Sequence, residues 1–299
     1  MARQKPKRVF VLGGGAALGA HQVGALRFLQ EQGVQPDAIV GSSVGVINAC
    51  VYASGGLPRL EEAWKEFRSL PYVLSPSLTQ NPVLGLSLFS LQRLSRALER
   101  FVDFPRVFDS PLELAFIVMN LSRGQGQVYS KKDLADWREL RILMRAGYSI
   151  PMLFPPVRYK DELFVDGGFA WNIPLEYAVD MGATEIYILA PIPSQPPFKA
   201  RFGNLFDLTA RFIDVMWRTI GNMGYLHARM ENGAFHGVPV TVIEPSDELG
   251  GFSVLDIFNA YPTKNRRLIA AGYRDAKRSW AHRAGRRRRS PAPTKAASA

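Results

Sequence analysis

Ile39-Val40-Gly41-Ser42-Ser43-Val44-Gly45-Val46-Ile47-Asn48-Ala49 joins the end of a strand, a sharp turn and the start of a helix in one short stretch. Ile39 and Val40 fit a buried strand, and the small residues after Gly45 let a helix begin at once. Gly41 and Gly45 remove side chains that would collide across the turn. A serine at such an apex sits on a strained backbone with its hydroxyl exposed, so Ser43 is the candidate nucleophile. The helix that follows directs backbone N–H groups toward the place where an attacked carbonyl oxygen would become negative. A Gly/Ser loop entering a helix is also an ordinary structural feature, so the reading depends on what surrounds it.

Upstream, Arg8-Val9-Phe10-Val11-Leu12 reads as a first strand, followed by Gly13-Gly14-Gly15-Ala16-Ala17-Leu18-Gly19-Ala20. Val23, Leu26, Phe28 and Leu29 then recur at helical spacing up to Gly33. A strand, glycine-rich loop and helix can cradle an anion on backbone N–H groups. Two chemistries compete for this loop. One is dinucleotide binding, with Gly13, Gly15 and Gly19 at the phosphates and Asp37 as the ribose acid. The other is an oxyanion hole serving Ser43. If the two strands are parallel neighbours, loop and serine share the carboxyl edge of the sheet, which favours the oxyanion hole. His21 is read as structural.

Further on, Leu60, Ala63, Trp64 and Phe67 suggest one amphipathic helix, and Leu91, Leu94, Leu98 and Phe101 another. The stretch Tyr72 to Ser90 between them is read as a packed loop. Leu112 to Asn120 is a strand on which Gln127-Val128-Tyr129 pairs back, and Leu140 to Ala146 is a helix. Ser149-Ile150-Pro151-Met152-Leu153-Phe154-Pro155-Pro156 is expected to be rigid and extended. Leu163-Phe164-Val165 forms a short strand ending in Asp166-Gly167-Gly168. A carboxylate there could take the proton of Ser43 if its surroundings raise its pKa, and the glycines let the backbone bend to bring it inward. After Asn172-Ile173-Pro174 come a helix from Leu175 to Met181 and strands Glu185–Leu189 and Val240–Ile243. The apolar stripe from Phe202 to Met230 is read as core-facing.

The glycine loop after the first strand, Gly41-Ser42-Ser43-Val44-Gly45 after the second, Ile150-Pro151 with Phe154-Pro155-Pro156, and Asp166-Gly167-Gly168 together resemble the patatin-like phospholipases. The resemblance covers Val9 to about Leu189. It implies a three-layer α/β/α patatin-like fold with a mainly parallel central sheet, plus a helical C-terminal region. By resemblance Ser43 and Asp166 correspond to a serine–aspartate dyad, and Gly14, Gly15 and Ala16 fall on the oxyanion loop. Gly19, Gly41, Gly45, Gly167 and Gly168 are the motif glycines. The implied activity is hydrolysis of lipid acyl esters through an acyl-enzyme, with no metal or cofactor. Ala16 and Leu18 depart from the family's commonest pattern, a third glycine and a basic residue. Ala16 still supplies an N–H, but the missing basic side chain weakens the case for charged phospholipids over neutral esters.

Nearly half of the 299 residues are apolar, enough for a full α/β core. Lone Cys50 excludes an intrachain disulfide and fits a reducing compartment, and four scattered histidines offer no zinc-ligand spacing. The net charge of +11 resides in Lys264 to Ala299, which holds twelve Lys/Arg and one Asp; the rest balances at 25 against 25. The chain therefore divides into a basic arm at 1–8, a catalytic domain at 9–200, a helical and strand extension at 201–263, and a basic tail at 264–299 read as disordered. That tail suits peripheral contact with an anionic membrane on its cytoplasmic face, whereas specific nucleic-acid binding is not expected. Two rivals remain: a nucleotide-dependent oxidoreductase, and a noncatalytic lipid-binding protein that keeps the fold. A rival hydrolase arrangement would recruit His227 or His236 into a triad with Ser43.

Overall fold

A computed structural model describes residues 6–68, 87, 89–194, 200–205, 208, 211, 212, 215, 230–246 and 259–289. Its strands are β1 (Arg8–Leu12), β2 (Ala38–Gly41), β3 (Glu113–Asn120), β4 (Gln125–Ser130), β5 (Val157–Tyr159), β6 (Glu162–Asp166), β7 (Glu185–Leu189), β8 (Ala234–Phe235) and β9 (Val238–Ile243). The helices longer than one turn are α1 (Ala20–Glu31), α2 (Val44–Glu66), α3 (Leu91–Glu99), α4 (Phe104–Asp109), α5 (Trp137–Gly147), α6 (Leu175–Asp180) and α7 (Pro262–Arg289).

The central run β3-β2-β1-β7-β9 is parallel throughout. Its strands are apolar on both faces, with Val9 to Leu12, Ile39, Val40 and Ile186 to Leu189 all buried, as expected of a sheet covered by helices on each side. β1 and β2 are adjacent and in register from Val9 opposite Ala38 to Leu12 opposite Gly41, so both following turns emerge at one carboxyl edge.

The two edges of β3 decide where β6 goes. β4 covers one edge antiparallel from Ala115 to Asn120. The opposite edge is shared: β2 pairs with Glu113 to Phe116, and β6 pairs antiparallel with Val118 to Asn120. β2 stops at Gly41, opposite Phe116, and Asp166 at the end of β6 lies opposite Val118. The end of one strand and the end of another therefore face each other along a common neighbour.

Helix α1 is buried nearly all round, because α7 lies along its outer side. The two backbones approach closely at their glycines. A Cβ on Gly24 would stand 1.8 Å from the carbonyl oxygen of Ile269, and one on Gly272 would stand 1.8 Å from that of His21. His21 Nε2 and Asp275 Oδ2, both buried, meet at 3.0 Å across this contact, which gives His21 the structural role expected of it.

Several expectations change. The segment 264–299 is not disordered over its described part: residues to Arg289 belong to α7, which buries Leu268, Ile269, Ala271 and Ala276 and leaves Arg266, Arg267, Arg274, Lys277 and Arg278 exposed. The strand expected at Val240–Ile243, beyond position 200, joins the central sheet as β9 beside β7. Ile150 to Phe154 is a turn closed by Phe154 N–H on the Ile150 carbonyl at 2.9 Å, with Met152 at φ 67°, rather than extended chain. The helix expected around Leu60 follows the one after Ser43 directly, across a kink at Gly55 and Gly56 where the backbone leaves helical geometry. Most of Tyr72–Ser90 and of Phe202–Met230 lies outside the described residues. Of the second stretch, the stripe residues Phe202, Leu205 and Phe212 are exposed, Leu205 by 77 %, so these three do not face a core.

Candidate active site

The ladder between β1 and β2 continues one residue beyond the strands, Ser42 N–H donating to the Leu12 carbonyl at 3.0 Å, and the chain then turns sharply. Ser43 occupies φ 52°, ψ −124°, outside the ordinary regions for a residue with a side chain. The turn is closed by Gly45 and Val46 N–H on the carbonyls of Ser42 and Ser43. A Cβ at Gly45 would lie 2.0 Å from the Leu12 carbonyl oxygen, so only glycine lets α2 start this close to β1. Gly41 abuts Gly45 across the same turn, and Gly19 abuts Val44.

β6 delivers the second group. Asp166 N–H donates to the Ser149 carbonyl at 2.9 Å, and Gly167 follows so tightly against β3 that a Cβ there would be 2.4 Å from the Ile117 carbonyl. The side chain is thereby turned inward. Ser43 Oγ donates to Asp166 Oδ2 at 2.6 Å, and Gly168 N–H donates to Asp166 Oδ1 at 2.8 Å. Ser43 is 5 % exposed and Asp166 2 %. Burial pushes the Asp166 carboxyl up to about 7, against the opposing pull of the bonds from Ser43 and Gly168. An aspartate that titrates near neutrality beside a hydroxyl is able both to accept and to return a proton.

The glycine loop passes on the other side of the serine. The Gly14 N–H, expected among the oxyanion donors, is instead given to Asn172 Oδ1 at 2.6 Å. The next two N–H groups, of Gly15 and Ala16, open a single turn of 3₁₀ helix at Ala16–Gly19 and meet no acceptor among the described residues. Asn172 was visible in the sequence only as part of a turn; the signal that could have marked it is a buried-side polar residue just after the aspartate and its glycines.

Ser43 also opens into a cavity of about 760 Å³, counting its mouth, between α2 and α3. Its walls are mainly apolar, including Val51, Leu60, Trp64, Leu94, Phe101 and Phe154. Tyr148 reaches the wall, but its hydroxyl donates to Ser95 Oγ at 2.9 Å, and burial raises its pKa further from the range of an acid–base group. No charged side chain lines the cavity among the described residues.

The rivals fare poorly on position. Asp37 accepts from the Arg8 N–H at 2.9 Å, at the amino end of β1, whereas the glycine loop is at the carboxyl end. It is on the wrong edge of the sheet for a ribose held at that loop. His236 sits in the tight turn between β8 and β9 at φ 48°, exposed, and His227 lies outside the described residues. No group of three or more His, Cys, Asp or Glu among the described residues could hold a metal ion.

What the fold and the geometry define is an α/β protein with a serine held on a strained strand–helix turn and hydrogen-bonded to a buried aspartate. The chain belongs to the patatin-like phospholipase family, whose model matches residues 10–179. It is 31 % identical over 180 residues to the human patatin-like phospholipase domain-containing protein 6, across 59 % of this chain and 13 % of that one. It is 26 % identical over 189 residues to the lysophospholipase nte1 of Aspergillus terreus, across 59 % and 11 %. The similarity thus spans about an eighth of those much longer proteins. Among solved structures, VipD from Legionella pneumophila matches with a TM-score of 0.56 and 13 % identity, over 92 % of this chain and 67 % of that one, a likeness of fold.

Proposed function

We propose that this protein hydrolyses acyl esters of lipids through Ser43 and Asp166. The observation that carries the reading is the 2.6 Å hydrogen bond between the two side chains, with Ser43 lining an apolar cavity. Ser43 Oγ attacks the ester carbonyl carbon as its proton passes to Asp166. The carbonyl oxygen, now negative, is received by the N–H groups of Gly15 and Ala16, with Gly14 held back by Asn172. Collapse of the tetrahedral species breaks the bond to the alcohol, which leaves with the proton from Asp166. Water then gives its proton to Asp166 and attacks the acyl-enzyme, the fatty acid departs, and Ser43 recovers its proton.

The apolar walls suit a hydrocarbon chain. The name of the Aspergillus terreus relative makes a lysophospholipid the first natural substrate to try, and the uncharged lining favours neutral esters as the comparison. A fluorophosphonate probe should label Ser43, read by peptide mass spectrometry, and both Ser43→Ala and Asp166→Ala should lose at least about a hundredfold in turnover. Full turnover by the Asp166 variant would refute the dyad. Labelling absent from Ser43, with liposome binding retained, would instead favour a noncatalytic lipid-binding protein.

The outer face of α7 supports a peripheral membrane role. Arg266, Arg267, Arg274, Lys277 and Arg278 are exposed along it, while its acid, Asp275, is buried. Each cation near an anionic lipid surface contributes on the order of 1 kcal/mol. No helix among the described residues is long and apolar enough to cross a bilayer. Vesicles of phosphatidylglycerol should therefore retain the protein at low salt and release it as salt rises, and phosphatidylcholine vesicles should retain less.

A further inference from the structure

Beneath the glycine loop runs a buried chain of hydrogen bonds that the reaction described above does not use. Trp64 Nε1–H donates to Asn48 Oδ1 at 2.8 Å. Asn48 Nδ2 donates to Gln22 Oε1 at 2.7 Å and to the Gly19 carbonyl at 3.1 Å. Gln22 Nε2 donates to the carbonyls of Gly13 at 2.8 Å and Leu189 at 2.9 Å. Gln22 and Asn48 are fully buried, and Trp64 is 6 % exposed.

The direction of the chain is forced from one end. An indole N–H can only donate, so Asn48 must turn its oxygen toward Trp64. Its amide nitrogen is then committed to Gln22 Oε1, and Gln22 has only its own nitrogen to offer the two backbone carbonyls. Both hydrogens of each amide are used. A network satisfied in this way has one arrangement, because reversing either amide would set donor against donor.

The far end matters for the site. Every peptide bond among the described residues is trans, so the Gly13 carbonyl and the Gly14 N–H of the same unit point in opposite directions. Gln22 holds the carbonyl, and Asn172 Oδ1 receives the N–H at 2.6 Å. This peptide plane is fixed from both sides, and the next two N–H groups, of Gly15 and Ala16, take their direction from it. At the near end, Trp64 and Asn48 both line the cavity beside Ser43. One polar chain therefore connects the wall of the acyl cavity to the base of the loop.

We propose that Trp64, Asn48 and Gln22 form a positioning relay, which holds the Gly13–Gly14 peptide and so aims the Gly15 and Ala16 N–H groups at the reacting oxygen. The relay rests on the hydrolase reading for its kinetic consequence but not for its structural one. None of the three touches the reacting atoms. They act through the loop, and their loss should appear in the chemical step rather than in binding of a short ester.

The test is a double-mutant cycle with Trp64→Phe, which keeps an aromatic ring and removes the donor, and Gln22→Met, which keeps length and removes the amide. With a short-chain p-nitrophenyl ester, each single variant should lower kcat by about tenfold or more while KM stays within about twofold. The double variant should fall no further than the worse single one, because either change breaks the same chain. Hydrogen exchange of the peptide spanning Gly13 to Leu18 should speed up in each variant. Costs in kcat that multiply in the double variant, or an effect confined to KM, would overturn the relay. If Gln22→Met does not fold, Trp64→Phe decides alone: unchanged kcat and unchanged exchange at the loop refute the proposal. If the wild-type chain hydrolyses no ester, the hydrolase reading fails. Exchange at the loop still judges the relay, since faster exchange in Trp64→Phe supports it and unchanged exchange sinks it.

Discussion

Asp166 contributes two opposing effects through one property. Its carboxyl is buried and its pKa lies near 7 rather than at 3.8, so the folded protein favours the protonated form. The stability this confers is fully present below about pH 4 and is lost as pH rises through about 7. Activity has the opposite slope, because only the carboxylate can accept the proton of Ser43. In a pH–rate profile, kcat/KM should climb with a midpoint near 7. Asp166→Asn should abolish turnover yet melt higher than the wild type, by a margin that is larger at pH 8 than at pH 5. The shift corresponds to a few kcal/mol, on the order of 1.4 for each pKa unit. A margin that shrinks with rising pH would mean that the buried carboxyl is stabilised by something other than its two hydrogen bonds.

At the level of elements, the contact between α1 and α7 offers the sharpest structural test. Gly272→Ala places a methyl against the His21 carbonyl and should cost about 1–3 kcal/mol or more in urea unfolding. Gly203→Ala, where the added Cβ itself meets no atom within 4 Å, should stay within about 0.5 kcal/mol of the wild type. The same contact shows where reading the sequence stops. Strands such as Glu185–Leu189 and the turn at Ser43 were legible because apolar runs and glycines act locally. α7 was not, because its cations outnumber its apolar residues and suggest a solvated tail; only the partner surface on α1, far away in sequence, turns Leu268, Ile269 and Gly272 into a docking face. Gln22, Asn48 and Asn172 escaped for a related reason. Each looks like an ordinary polar residue on a helix or turn until the fold buries it beside a backbone group that needs a partner. The family resemblance puts the Gly14 N–H on the oxyanion loop, and the residue that occupies it lies 158 positions away.

For the molecule as a whole, the basic segment is at once a structural strut and an exposed charged face. A chain cut after Tyr261 would uncover the α1 surface that α7 buries, so it should fail to give a cooperative melt rather than merely lose affinity for anionic vesicles. Charge reversal at Arg267, Arg274 and Lys277 should instead leave the melt unchanged and weaken vesicle binding, which separates the two roles. The shared edge of β3 has a different reach. Hydroxyl and carboxyl meet only because β2 ends opposite Phe116 and vacates the seat that β6 takes at Val118. A version of this protein whose second strand ran two residues longer would keep every reactive atom and still be inert, so a checklist of residues cannot tell a working descendant from a silent one; the stopping point of a strand has to be counted as well.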